Sequence, residues 1–418
     1  MTSAAPKRWL GQLVALAAFL GAVAIGPLDT GEVWAQGNPQ VVKIGIITDM
    51  SGPWADMGGP GSTIAAQMAI DDCLKKECKG MNIKLLAADH QNKPDIGVQK
   101  AREWVDVEKV GALADLTNSA VSLALQKLAK ENLKFIPMFS GPATTRLTNE
   151  DCSPVGFHWM FDTYALSVGA AKTIIQGGGK TWYFVTVDYA FGHQLEKDAS
   201  DVVKELGGSV VGVSRHPLNA SDFSSFMLSA QSSKAQVIGL ATAGPDAVNA
   251  IKTATEFGLS KSGQIVAPLL LFDTDVHSLG LELAQGVTLG TGFYWDMDSE
   301  ARAWSARFQK LHKNRKPTMT HGGVYSSVYH YLKAVAAAKT TDAKVVAAKM
   351  RELPIKDPVM RNASIRPDGR VIHDFYLVKT KSPKESKEEW DFYKIQTTIP
   401  ADQAFQPLSK SKCDLIKK

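Results

Sequence analysis

The stretch Val41–Asp72, VVKIGIITDMSGPWADMGGPGSTIAAQMAIDD, reads as a buried strand, a long loop and a helix in immediate succession. Val41–Ile47 is a short β-branched run bounded by turn residues, the pattern of a strand buried on both faces of a parallel sheet. The loop over residues 48–61 is rich in Gly, Pro and Ser. From Ser62 the apolar positions Ile64, Ala65, Met68 and Ala69 recur at three and four residues, so a helix is predicted there with Ser62 or Thr63 as its cap. Gly59 and Gly61 open a dinucleotide fingerprint, but Ile64 stands where its third glycine belongs, and the loop is much longer than the tight turn that motif needs. The reading that survives is one wall of a small-molecule cleft presenting Trp54, since ligands of open parallel sheets sit beyond the carboxyl ends of the strands.

The same unit repeats along the chain. Strands are predicted at residues 82–88, 111–116 and 135–139, alternating with helices at 95–108 and 120–131. The pattern restarts with strands at 182–187, 209–213, 237–241 and 265–272 and helices near 192–206, 223–232 and 246–257. Past Gly286 come helices near 299–313, 325–339 and 344–353, then two strands at 374–380 and 391–396. This order predicts an α/β fold with two Rossmann-like lobes, each a mainly parallel sheet flanked by helices.

A chain of 418 residues with 44% hydrophobic content can bury the cores of two such lobes. Residues 1–35 read as a cleaved secretory signal: Lys7 and Arg8 precede an apolar run from Leu10 to Ile25, and Val33, Trp34 and Ala35 form a small-residue cleavage site. The apolar run, about sixteen residues, is shorter than the roughly twenty a membrane span needs. The net charge of +5 is mild and its basic residues are scattered, which favours a solvated surface over nucleic-acid contact. Cys73, Cys78, Cys152 and Cys413 allow several pairings in an oxidising compartment. Cys73 with Cys78 would be a local link, left open; Cys152 with Cys413, the pairing expected here, would tie the tail to mid-chain. Metal binding is disfavoured because no C-x-x-C or helical H-x-x-x-H spacing occurs. No catalytic set emerges either: there is no nucleophile elbow and no phosphate loop, and Asp71 and Asp72 sit in a helix with nothing to act on. No enzyme activity and no cofactor are expected.

The opening stretch and the order of the later units resemble the periplasmic branched-chain amino-acid-binding proteins, the solute receptors of ABC importers, along nearly all of residues 38–400. The resemblance implies a periplasmic, monomeric, cleft-closing receptor delivering a small carboxylate to inner-membrane permease subunits. Its lobes are expected at 38–155 plus 289–364 and at 156–288 plus 365–418, joined by three strands crossing near residues 153–161, 283–291 and 365–370. A sensor of the same fold that signals to a membrane kinase is the alternative. In the family the ligand carboxylate is held by hydroxyls and backbone N–H groups at helix starts, a role matched here by Asn118 and Ser119 and by Gly141, Ala143 and Thr144. Plain helix capping is the competing reading of these residues. On the second lobe the resemblance implies contacts from Tyr189, Phe191, Thr242, Ala243, Phe272, Asp273 and Thr274, with Trp54 opposite; Tyr189 and Phe191 could instead pack under a helix. Phe293, Tyr294 and Trp295 read more as core than as contacts. Thr274 stands where the amino-acid receptors carry the acid that neutralises the ligand's ammonium, with Asp273 and Asp275 beside it. An unpaired buried ammonium costs several kcal/mol. The expected ligand therefore tilts toward an aromatic or branched oxo or hydroxy acid, with a branched-chain or aromatic amino acid as the alternative.

Overall fold

The computed structural model describes residues 41–416. The predicted signal segment lies outside them. The first lobe opens with β1 (Val42–Thr48), α1 (Gly59–Leu74), β2 (Ile83–Asp89), α2 (Pro94–Arg102), β3 (Ala112–Asp115), α3 (Ser119–Asn132), β4 (Ile136–Phe139) and β5 (Phe157–His158). These strands form one sheet in the order β2-β1-β3-β4-β5, parallel throughout. β1 reads apolar on both faces because helices cover both, and Ile44, Ile46 and Ile47 are fully buried.

The second lobe continues with α4 (Thr163–Gln176), β6 (Thr181–Val187), α5 (Ala190–Glu205), β7 (Ser209–His216), α6 (Ser224–Ser232), β8 (Val237–Ala241), α7 (Gly244–Glu256), β9 (Ile265–Pro268), α8 (Asp273–Leu279) and α9 (Leu281–Ala284). Its sheet is also parallel, in the order β7-β6-β8-β9. There follow β10 (Thr288–Thr291), α10 (Ser299–Leu311), α11 (Met319–Ala338), α12 (Ala343–Glu352), β11 (Ser364–Ile365), β12 (Val371–Ile372), β13 (Phe375–Thr380), β14 (Tyr393–Ile399) and α13 (Ala401–Ala404). α11 lies along α1 and over β3, while the antiparallel sheet β10-β13-β14 packs through β10 and β13 on α4. The result is an α/β architecture of two lobes, each built on a parallel sheet.

The chain passes from β5 to α4 through residues 159–162, from β10 to α10 through residues 292–298, and from β12 to β13 through residues 373–374. β10 pairs with β13, and β12 closes a hairpin with β11. A buried arginine organises this region. Arg370 donates to the carbonyls of Trp159 (3.3 Å) and Phe161 (3.2 Å), lies 3.4 Å from the Asp162 carboxylate and stacks on Phe405. These contacts offset the cost of burying the cation, although its Nε has no hydrogen-bond partner among the described residues.

Several element boundaries differ from expectation. α1 begins at Gly59, three residues early, with Gly58 rather than Ser62 or Thr63 at its cap and Pro60 in its first turn. α11 begins at Met319 rather than near Tyr325 because Thr318 and His321 form a reciprocal cap, and His321 Nε2 then donates to the Gly58 carbonyl at 2.9 Å. The predicted strand at 265–272 ends at Pro268. Both disulfides are present, Cys152–Cys413 and also Cys73–Cys78, the pairing left open by sequence. Among the described residues no helix is long and apolar enough to cross a membrane.

Candidate functional site

In the first sheet the strand order reverses between β1 and β3, and in the second between β6 and β8. Loops at such reversals leave a crevice beyond the strand ends. Here the two crevices face one another. A small cavity lies between them, lined from β1–α1 by Trp54 and Met57, from β3–α3 by Thr117, Asn118 and Ser119, and from the loop after β4 by Gly141, Pro142 and Ala143. The second lobe contributes Tyr189 and Phe191 from β6–α5, Ala243 from β8–α7, and Leu270 and Phe272 from the segment after β9; Phe161 enters from the first crossing.

The loop from β3 to α3 is the polar end. Asp115, Leu116 and Asn118 all take positive φ (69°, 60° and 75°), a costly conformation for side-chain-bearing residues and one that concentrates at functional loops. Asn118 caps α3 by accepting from the Ala120 and Val121 N–H groups, at 2.9 and 3.4 Å. This leaves Ser119 at the first helical position, whose N–H has no intrahelical acceptor. Its hydroxyl is buried and without a hydrogen-bond partner among the described residues. Gly141 has to be glycine, since a Cβ there would sit 2.0 Å from Thr117 Oγ1. His158, made neutral by burial and by the nearby Arg370, donates from Nε2 to the Pro142 carbonyl at 2.9 Å and fixes that loop.

The remainder of the cavity is apolar and aromatic. Trp54 meets Phe191 edge-on across the cleft, with centroids 6.5 Å apart, and Phe191 lies 6.0 Å from Tyr189. Phe161 and Phe272 make a second edge-on pair at 5.9 Å. Burial raises the Tyr189 phenol far above its ordinary range, so it is a neutral hydroxyl. Among the described residues that line the cavity, none is charged. Buried acids stand behind the lining at both ends: Asp115 accepts from the Thr117 hydroxyl at 2.6 Å, and in α8 Asp275 accepts from the Phe272 N–H at 2.9 Å, while one oxygen of the buried Asp273 has no hydrogen-bond partner among the described residues. Burial pushes both α8 carboxyls up to about 7.

Of the residues singled out from sequence, Trp54, Asn118, Ser119, Gly141, Ala143, Tyr189, Phe191, Ala243 and Phe272 come together around this cavity. Thr144 and Thr242 are buried one residue away from lining positions, Asp273 lies under the start of α8, and Thr274 faces a separate outer cavity. Phe293–Trp295 are buried core, with the Trp295 indole N–H donating to the Trp390 carbonyl at 2.8 Å. Met57, Phe161 and Leu270 line the cavity without having been singled out as contacts. For Phe161 the one available signal was its place at the end of the first predicted crossing.

Two facing α/β lobes whose reversal loops enclose one small apolar cavity define a cleft-type solute-binding protein. Residues 41–387 match the periplasmic binding protein family, and the chain belongs to it. A periplasmic binding protein from Burkholderia mallei is 48% identical, covering 90% of this chain and 99% of its own, with a TM-score of 0.87. A branched-chain amino-acid ABC transporter periplasmic ligand-binding protein from Burkholderia xenovorans LB400 is 36% identical over 90% of this chain and 99% of its own, with a TM-score of 0.80. An ABC transporter solute-binding protein from R. palustris, in complex with 4-hydroxybenzoate, shares the fold at 24% identity and a TM-score of 0.79, covering 89% of this chain and all of its own (100%). No curated protein matches the chain. These relatives bind solutes, and the chain is a binding protein rather than an enzyme.

Proposed function

We propose that this protein is the receptor of an ABC importer for a small monocarboxylate with a ring or branched apolar body and no ammonium group. The observation that carries this is the composition of the cavity: five aromatic side chains and no charged one, closed at one end by the start of α3 with the unpartnered Ser119 hydroxyl. A helix start with a free N–H and a hydroxyl suits a carboxylate. Nothing in the lining suits an ammonium, and stripping one of water without a partner costs several kcal/mol. The ligand bridges the lobes, here residues 38–155 with 289–364 and residues 156–288 with 365–418, and so favours the closed state. Export through cleavage after Ala35 and hand-over to a permease in the inner membrane belong to the same reading.

A second reading is an amino-acid receptor, favoured by the Burkholderia xenovorans relative and by the acids of α8 behind Phe272. A thermal-shift screen separates the two. Benzoates, phenylalkanoates and branched 2-oxo acids are expected to raise the melting temperature, and leucine and phenylalanine to leave it unchanged. Stabilisation by the amino acids alone would replace the first reading with the second.

A further inference from the structure

A second, larger cavity adjoins the ligand cavity, and Trp54, Met57 and Phe272 line both. The outer cavity runs between residues 51–57 of the first lobe and Asn249, Thr274 and Asp275 of the second. Ser51, Gly52 and Asp56 are exposed, so it opens to solvent. Trp54 forms the common wall and is itself only 4% exposed. Its six-membered ring is seated on Gly244 of the opposite lobe: Cζ3 and Cε3 lie 2.8 and 3.3 Å from where a Cβ at Gly244 would be, and Gly244 has φ +60°. The loop beneath the ring is held as well. Asp49 accepts from the N–H of Gly52 (2.7 Å) and of Trp54 (2.9 Å) and from the Asn92 amide (2.7 Å), and the Asn118 amide in turn donates to Asn92 (3.2 Å). One hydrogen-bonded chain thus fixes both the tryptophan wall and the cap of α3.

We propose that Trp54 is a partition that sets ligand length, confining the native ligand to the inner cavity, so that shortening this side chain joins the two cavities and admits acids with long tails. Asp56 and Asp275 border the outer cavity, and Arg315 is engaged with Asp56 at 2.7 Å. The tail admitted is therefore neutral or cationic, not a second carboxylate. The proposal rests on the carboxylate reading above for the identity of the head group.

The test uses the full-length mature protein and a calorimetric series: benzoate, phenylacetate, 3-phenylpropanoate, 4-phenylbutanoate and 5-phenylpentanoate, beside the 2-amino forms of the last three. Wild type is expected to bind the short members and to lose at least tenfold in affinity at some length within the series. Trp54→Ala is expected to bind the longest member at least tenfold more tightly than wild type does, and the shortest at least tenfold more weakly. If that variant does not melt cooperatively, Trp54→Leu takes its place, with the cut-off moved to a longer member than in wild type. Which series binds tests the head-group reading, whereas where the cut-off falls in that series tests the partition. Wild type binding the longest member as well as the shortest would overturn the proposal, as would a folded variant losing affinity equally along the series.

Discussion

Replacing Ser119 with alanine removes one hydroxyl and leaves the Asn118 cap, which bonds Ala120 and Val121, in place. A hydrogen bond to a charged group contributes about 1.5–3 kcal/mol, so Ser119→Ala is expected to weaken carboxylate binding at least tenfold in calorimetry while the melting temperature of the unliganded protein barely moves. Unchanged affinity would place the carboxylate elsewhere. Ser119 and Asn118 were legible in sequence because helix starts after a strand have few chemical options. Met57 and Leu270 were not. An apolar residue carries no mark that separates a cavity wall from a core, and only the folded loops assign it.

At the start of α8, two buried carboxyls sit without a cation. Asp273, only 3% exposed, has its pKa raised from 3.8 to about 7 by burial and by the neighbouring Asp275 charge. The folded state therefore holds a proton that the unfolded state releases above about pH 4, and stability falls as pH rises from about 4 to about 7. Asp273→Asn is expected to reduce that loss, stabilising the protein at pH 7.5 relative to wild type by on the order of 2 kcal/mol in urea unfolding, with little difference near pH 4. A variant with the wild-type pH profile would contradict the assignment. Helix and strand order were readable from apolar spacing, but the starts of α1 and α11 were not. Those starts are joined by His321 and Gly58, residues separated by 263 positions, and no local pattern reports such a contact.

Across the whole molecule, the tail after β14 lies over the crossings and touches both lobes. The Lys412 N–H donates to Asn149 at 3.0 Å, Lys130 pairs with Asp414 at 3.0 Å, and Lys410 reaches Glu205 of α5 at 2.6 Å. The exposed pairs contribute little. The tail is anchored by the buried Phe405, which packs on Arg370 and His373, and by the Cys152–Cys413 bond, spanning 261 positions; the variant with both cysteines changed to serine is expected to lose about 2–5 kcal/mol of stability in urea unfolding. An unchanged unfolding midpoint would show that the tail docks without it. The central claim concerns charge: the cleft takes a carboxylate and has no place for an ammonium. Calorimetry of 3-phenylpropanoate against phenylalanine, which differ only by that group, tests it most directly. The expected result is saturable binding of 3-phenylpropanoate with phenylalanine at least a hundredfold weaker; phenylalanine binding as tightly or more tightly would contradict it.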